Sequence, residues 1–229
     1  LITRTRHLDG GSAIAADGQG RIFVAWHGNA LDGPEGEPAR RVWLSRSADA
    51  GATFATEHAI SPAETGVCGC CGLQMAVSSS AVHLLYRAAR MMVHRDIYAL
   101  TSSDAGVTFT ASRRDAWEVG ACPMSSMDIV VGRQVVEAWE HDGQVAFAPV
   151  GTERGSAPPP PTSQDAAARR KHPRIAIAAA RGNGSTPART SSIRRWLFKV
   201  ARRGAGGCLT RLAIRVTRRG WLSNMLTTN

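Results

Sequence analysis

The segment SADAGATF at residues 47–54 returns almost unchanged as SSDAGVTF at residues 102–109, and this pair decides the fold. Both segments fit the pattern Ser-x-Asp-x-Gly-x-Thr-Phe, and they begin 55 residues apart. A repeat interval of this length indicates a propeller or a solenoid. In each copy the Asp side chain can accept hydrogen bonds from backbone amides, and the Gly can adopt a positive φ. We therefore predict two structural β-turns. Their residues are Ser47, Asp49, Gly51, Thr53 and Phe54 in the first copy, and Ser102, Asp104, Gly106, Thr108 and Phe109 in the second.

Short alternating apolar segments surround both turns. The stretches 14–26, 75–86 and 128–139 each contain an apolar strand, a polar turn and a second strand that ends in an aromatic residue. This alternation predicts β-hairpins, and the stretches 41–47 and 96–102 predict third strands that run into the Asp turns. A four-stranded antiparallel unit that repeats predicts an all-β propeller. The expected blades cover about residues 13–64, 73–120 and 125–150, and a fourth blade could start at residues 172–177.

The two turns resemble the Asp-box (BNR) repeats of the sialidase-like β-propellers, and the resemblance covers about residues 13–180. The order CGCCG, YR, RDIY, SSDAGVTF, ACP is similar to that of exported bacterial proteins labelled exo-α-sialidase. The resemblance implies a six-bladed ring, an extracytoplasmic location and a glycan or glycoconjugate as partner. This chain would supply about three of the six blades, so we expect a fragment.

The first functional hypothesis, implied by the resemblance, is an exo-α-sialidase-type glycoside hydrolase that acts on terminal sialic acids. Such enzymes bind the substrate carboxylate with arginines and use an acid and a Tyr–Glu nucleophile pair. The candidates here are Tyr86 as nucleophile, Arg87 and Arg95 as arginines, and Asp96 and Glu140 as carboxylates. The alternatives are blade packing for Tyr86 and a structural ion pair for Arg95 and Asp96. We expect a half-ring to be inactive, because residues from all blades must converge on one pocket.

Four of the five cysteines precede the predicted first strands of the second and third blades. They are Cys68, Cys70, Cys71 and Cys122. An exported context favours disulfides or free structural thiols. The pattern Cys-x-Cys-Cys also lacks the spacing of zinc knuckles, which argues against a metal site. The alternative is a thiolate site for Zn or Cu(I), with Met91, Met92, His94 or Met124 nearby. The second functional hypothesis is a non-catalytic exported propeller that binds glycan, protein or a metal through the face that carries these Cys, Met and His residues. No other cofactor is expected.

The net charge of +10 is unevenly divided along the chain. Residues 1–165 have a balance of −5, whereas residues 166–229 contain 15 basic residues and no acidic ones. Residues 151–170 are Pro-rich and predict a linker, and residues 171–229 form a basic tail. Two tail segments, 193–200 and 209–216, have helical spacing, which would suit an anionic membrane surface or nucleic acid.

The basic tail has no recognisable nucleic-acid-binding signature, so we do not favour a nucleic-acid partner. A frameshifted or unrelated segment is the favoured interpretation of the tail. No run of apolar residues approaches the length of a transmembrane helix, and the first ten residues, LITRTRHLDG, contain no signal-peptide core. The sequence thus indicates an all-β propeller fragment with an added basic segment.

Overall fold

The structure, a computed structural model, describes residues 2–79, 81–151, 171–177, 194–200, 210–217 and 220–221. Within these residues the regular structure is β-strand, with 3-10 turns at Ala63–Thr65 and Gly69–Cys71 and no α-helix. No helix among them is therefore long and apolar enough to cross a membrane. The all-β class predicted from the alternating segments is confirmed.

The first two sheets are antiparallel and follow the order of the chain. The first contains β2 (Ala13–Ala16), β3 (Ile22–Ala30), β4 (Arg41–Ser47) and β5 (His58–Ala59), and β1 (Thr5–Arg6) pairs with the end of β3. The second contains β6 (Leu73–Ser78), β7 (Ala81–Arg87), β8 (Ile97–Ser102) and β9 (Thr110–Asp115). Each is therefore a four-stranded meander of the kind that forms a propeller blade.

Two further sheets follow. The third contains, among the described residues, β10 (Met127–Val131), β11 (Val135–His141) and β12 (Gln144–Pro149). The fourth contains β13 (Pro173–Ile177), β14 (Arg194–Val200), β15 (Thr210–Thr217) and β16 (Gly220–Trp221). The first strands of successive sheets contact one another in the order β2, β6, β10 and β13, as the innermost strands of a propeller do.

The structure corrects one hypothesis about the basic tail. Residues 194–200 and 210–217 are strands, not the amphipathic helices suggested by their spacing. Without a partner, the edge of β13 would leave backbone amides and carbonyls unpaired. Strand β14 supplies this partner and pairs with β13 from Pro173↔Val200 to Ile177↔Trp196. Short apolar runs cannot be assigned to helix or strand by periodicity alone. Nearly all of the predicted linker at 151–170 lies outside the described residues.

Buried side chains fill the spaces between neighbouring sheets. Strand β7 is buried on both faces, and successive residues of a strand point to opposite faces. Leu84 belongs to the cluster with Phe23 and Leu44 of the first sheet, whereas Leu85 belongs to the cluster with Trp139 of the third. Burying a Leu or Phe side chain contributes about 1.5–3 kcal/mol, so each sheet depends on its neighbours for stability.

Candidate functional site

The strand registers divide the molecule into two ends. In the second sheet, Ser102 lies opposite Val82, whereas Ile97 lies opposite Arg87. The Asp turns that follow β4 and β8 therefore lie at one end, which we name the turn end. The loops that precede β6 and β8 lie at the other, which we name the loop end. The sequence-predicted catalytic and metal-binding residues belong to this loop end or to the strands that enter it.

The first Asp turn is closed by side-chain hydrogen bonds. The Ser47 hydroxyl donates to Asp49 Oδ1 at 2.7 Å and accepts from the Gly51 amide at 2.8 Å. The Thr53 amide donates to Asp49 Oδ1 at 2.9 Å, and its hydroxyl donates to Oδ2 at 2.5 Å. These bonds to the charged carboxylate hold the pKa of Asp49 down at about 2.

The second turn repeats this arrangement around Asp104. Its carboxylate accepts from the Ser102 hydroxyl at 2.6 Å and from the Thr108 amide at 3.0 Å, which again lowers the pKa. A Cβ added to Gly106 would lie 3.2 Å from Phe23 and Leu44, so this turn packs closely on the first sheet. The sequence did not reveal that the residue before each glycine, Ala50 or Ala105, also has a positive φ.

Tyr86 is fully buried in the cluster between the first and second sheets. Its hydroxyl lies 2.9 Å from the Thr65 hydroxyl, and its ring stacks on Tyr98 at 5.7 Å. Burial raises its pKa, which makes the phenolate that a nucleophile requires harder to form. These are the contacts of a packing residue, and a nucleophilic role for Tyr86 stays a prediction.

Arg87 is also fully buried, but on the opposite face of β7, between the second and third sheets. Its guanidinium donates to the carbonyls of Arg95 and Glu140, both at 2.8 Å, and to the Ser125 hydroxyl at 3.1 Å. Glu140 Oε2 lies 3.7 Å from the same guanidinium, while Glu140 Oε1 accepts from the Gly143 amide at 2.6 Å. The structure thus brings Arg87 and Glu140 together inside a sheet interface.

Arg95 and Asp96 are buried at the start of β8 but do not pair with each other. Arg95 Nη1 lies 2.8 Å from Glu37 Oε2. Asp96 Oδ1 accepts from the Trp117 amide at 2.9 Å, and its other oxygen lies 3.6 Å from the Arg113 guanidinium. A catalytic role for these two residues stays a prediction, since the bonds observed here fix the protein's own loops.

The four cysteines converge at the loop end. Cys122 Sγ lies 3.2 Å from Cys70 Sγ, 3.3 Å from Cys68 Sγ and 3.7 Å from Cys71 Sγ, and Cys68 and Cys71 are 3.4 Å apart. We name these residues the cysteine cluster. The 3-10 turn at Gly69–Cys71 brings three of the sulphurs together, and the loop before β10 adds the fourth. All four are free thiols in this structure, and disulfide pairing among them stays a prediction.

Charged side chains of both signs lie near the cysteine cluster, including Arg87 and the Glu37 carboxylate. The Cys68 thiol donates a hydrogen bond to Cys71, and together with the Arg87 guanidinium this lowers the pKa of Cys71 to about 6. The same hydrogen bond and burial raise the pKa of Cys68. Burial and the contact with Cys70 raise the pKa of Cys122 to about 12. Cys71 is therefore the thiol that most readily becomes the thiolate that binds metals.

The sequence also proposed three methionines and one histidine as neighbours of the cysteines. Met91, Met92 and Met124 are exposed, and each has a positive φ, which is uncommon for a residue with a side chain. Met124 reaches the cysteine cluster only through its backbone amide, 3.4 Å from Cys122 Sγ. His94 lies 3.9 Å from Glu118 Oε2. Among the described contacts, none brings a side chain of these four residues to the cysteine sulphurs.

Trp117 also lies at the loop end, although no sequence motif marks it. It is half-buried, and its ring stacks on His141 with the ring centres 5.0 Å apart. The Arg87 guanidinium lies 5.1 Å from the centre of the Trp117 ring. Asp115 Oδ2 lies 2.8 Å from His141 Nδ1. The chain thus presents a fixed aromatic pair at the loop end, and we name it the Trp117 platform.

Comparison with solved structures reveals the class of fold. A Hadza microbial sialidase matches with a TM-score of 0.51 and 13% identity, over 94% of this chain and 44% of the sialidase. A fructofuranosidase from Schwanniomyces occidentalis complexed with fructosylnystose matches with a TM-score of 0.51 and 10% identity, over 100% of this chain and 48% of the enzyme. The chain therefore spans less than half the length of either protein, and it has a β-propeller fold of the glycoside-hydrolase type.

At these identities the likeness concerns the fold alone. Comparisons with models of protein families and with curated protein sequences give no match.

Proposed function

We propose that this chain recognises a glycan or glycoconjugate at its loop end and does not hydrolyse it through the five sequence-predicted residues. The Trp117 platform is the observation that carries this proposal. The half-buried Trp117 ring lies 5.0 Å from the His141 ring and 5.1 Å from the Arg87 guanidinium. The sialidase-like Asp-box group and an extracytoplasmic location, both taken from the resemblance, complete the proposal.

An aromatic platform suits a sugar because the C–H faces of a pyranose ring are apolar and its hydroxyls are polar. Binding sites of this type pair an aromatic surface with a few fixed polar groups that set orientation. Beside Trp117, the Glu118 side chain is 73% exposed and lies opposite His94. Backbone hydrogen bonds from Arg95 to Trp117 and from Val119 to Val93 hold the platform in place.

Hydrolysis through the five candidates is disfavoured by where their side chains point. A nucleophile or general acid must come within hydrogen-bond distance of the reacting atoms. Tyr86 and Arg87 occupy opposite faces of one strand, and each is fully buried between sheets. These two groups therefore cannot contact one substrate without separation of the sheets.

The platform is tested by titrating the full chain with sialyllactose and with lactose, using calorimetry. We expect saturable binding that Trp117→Ala weakens at least tenfold, because the stacking surface is lost. Val107→Ala is the matched control, since it truncates an apolar side chain that is 49% exposed at the turn end. Equal affinities for the wild type and Trp117→Ala would contradict the proposal, as would the absence of binding to both sugars.

An exo-α-sialidase is the second candidate function, favoured by the resemblance of the Asp turns and by the fold shared with the microbial sialidase. A fluorogenic sialoside distinguishes it from a binding protein. Turnover that both Arg87→Ala and Tyr86→Phe abolish, without a change in the thermal unfolding midpoint, would support the sialidase. We expect no turnover, and we expect both substitutions to lower the unfolding midpoint, because both side chains are packed.

A further inference from the structure

We propose that the cysteine cluster binds one thiophilic metal ion, with Zn²⁺ as the best match, and that this ion ties the second sheet to the third. The four sulphurs come from two loops that are remote in sequence. Cys68, Cys70 and Cys71 precede β6, and Cys122 precedes β10. This site shares the Arg87 guanidinium with the Trp117 platform, but metal binding by the cysteines does not depend on glycan recognition.

The spacing of the sulphurs suits a tetrahedral ion. A Zn–S bond of about 2.3 Å in a tetrahedron places its sulphurs about 3.8 Å apart. The three mutual separations among Cys68, Cys71 and Cys122 lie between 3.3 and 3.7 Å, so these sulphurs need to move outward by only a few tenths of an ångström to accept the ion. Cys70 Sγ lies 3.2 Å from Cys122 Sγ and is placed to supply the fourth ligand. Sulphur ligands of this number favour Zn²⁺, and Cu(I) is the soft competitor.

Two buried arginines lie beside the cysteine cluster. The Arg87 guanidinium acts on Cys71, and the Arg95 guanidinium acts on Cys68 and Cys122. Each guanidinium also lies near a carboxylate, because Arg95 Nη1 is 2.8 Å from Glu37 Oε2 and Arg87 is 3.7 Å from Glu140 Oε2. Four thiolates and one divalent ion leave an excess of two negative charges, and the two arginines offset part of that excess.

Backbone groups supply the outer contacts that metal ligands usually have. The Ser125 amide hydrogen-bonds to Cys71, and the Met124 amide donates to Cys122 Sγ at 3.4 Å. The Cys68 amide donates to the Arg87 carbonyl at 2.9 Å, which anchors the loop to the end of β7. Such contacts orient the ligands before the ion arrives. Cys70 is exposed and offers the entry path.

The test is elemental analysis of the full chain, purified with a phosphine reductant and without chelators. We expect close to one equivalent of zinc or copper per chain. Cys71→Ser and Cys122→Ser should each reduce that content at least tenfold. Cys208→Ser is the matched control, since it removes the one cysteine outside the cluster and should leave the metal content unchanged.

A titration of metal-free wild-type protein with Co²⁺ keeps the proposal falsifiable if the serine variants fail to fold. Thiolate-to-cobalt charge-transfer absorption should rise and saturate at one equivalent, and Zn²⁺ should then abolish it. Release of the cobalt signal by Cu(I) but not by Zn²⁺ would identify copper as the ion. Reduced protein that contains no metal and gives no cobalt signal would overturn the proposal, whether its thiols were isolated free or as disulfides.

Discussion

Asp49 and Asp104 each organise a turn through one carboxylate. Each accepts from a Ser hydroxyl, a Thr hydroxyl and a Thr amide, so most of its hydrogen-bonding capacity is satisfied within one turn. All of these bonds favour the ionised form, which is why both pKa values lie below the usual range for Asp. The stability of the turns should therefore depend on pH.

We expect the free energy of unfolding to fall as the pH drops below about 4. The pKa of Asp49 is lowered from 3.8 to about 2 on folding. A carboxyl group with a lowered pKa stabilises the fold above its unfolded pKa, and this contribution is lost as the pH falls through the folded value. Asp49→Asn combined with Asp104→Asn should flatten this part of the pH profile, measured by urea unfolding.

Asp32→Asn serves as the control for the turn carboxylates, because this Asp is exposed and lies outside both turns. It should leave the acid branch of the pH profile as steep as in the wild type. An unchanged acid branch in the double Asp49, Asp104 variant would show that the turns do not contribute to the pH dependence.

Tyr86 and Arg87 show what the sequence could not reveal about single residues. Both residue types suit sialidase chemistry, and both lie at a strand end that the topology places at the loop end. Their burial depends on the sheets that cover β7 on both faces, which is a property of the assembled molecule. Trp117 shows the reverse case, since no motif singles it out and the structure leaves it half-buried and stacked on His141.

At the scale of elements, the repeated turns and the alternating segments predicted most of the strands in the first two sheets. The same strand pattern placed Cys68, Cys70 and Cys71 just before the first strand of the second sheet, where the structure has them. Strands β14 and β15 were not predicted, because the strands that pair with them lie outside their own sequences, β13 beside β14 and β14 beside β15. The strand pairing of a short apolar run is decided by the available sheet edge and not by its period.

The segment before β2 packs directly on the cysteine loop. A Cβ added to Gly10 would lie 1.7 Å from the carbonyl oxygen of Gly69, and the φ of Gly10 is +81°. Gly10→Ala should therefore lower the thermal unfolding midpoint and displace the turn at Gly69–Cys71. The reactivity of the cysteine thiols toward a chromogenic disulfide should rise in the same variant, because the loop becomes more accessible.

Gly18→Ala is the matched control for Gly10, since no atom lies within 4 Å of a Cβ added there. It should leave both the unfolding midpoint and the thiol reactivity near the wild-type values. A Gly10→Ala variant as stable and as unreactive as Gly18→Ala would contradict the packing described here.

At the scale of the whole molecule, the sheets follow one another around the innermost strands, and chemistry-bearing residues collect at the loop end. The fold class could be predicted from two octapeptides, because the Asp turn specifies its own geometry and its repetition specifies the architecture. The distinction between binding and hydrolysis could not, since it depends on which side chains the neighbouring sheets cover. The basic character of residues 166–229 is not used in the proposed function, and their proposed foreign origin stays a prediction.

The loop end is proposed to bind a glycan without hydrolysing it. Saturation-transfer NMR on the full chain with sialyllactose examines both halves of this proposal, because one sample reports contact with the sugar and release of free sialic acid. We expect transfer to the sugar protons, its loss in Trp117→Ala, and no free sialic acid over the time of the experiment. Accumulation of free sialic acid that Tyr86→Phe abolishes would show that the chain hydrolyses the sugar.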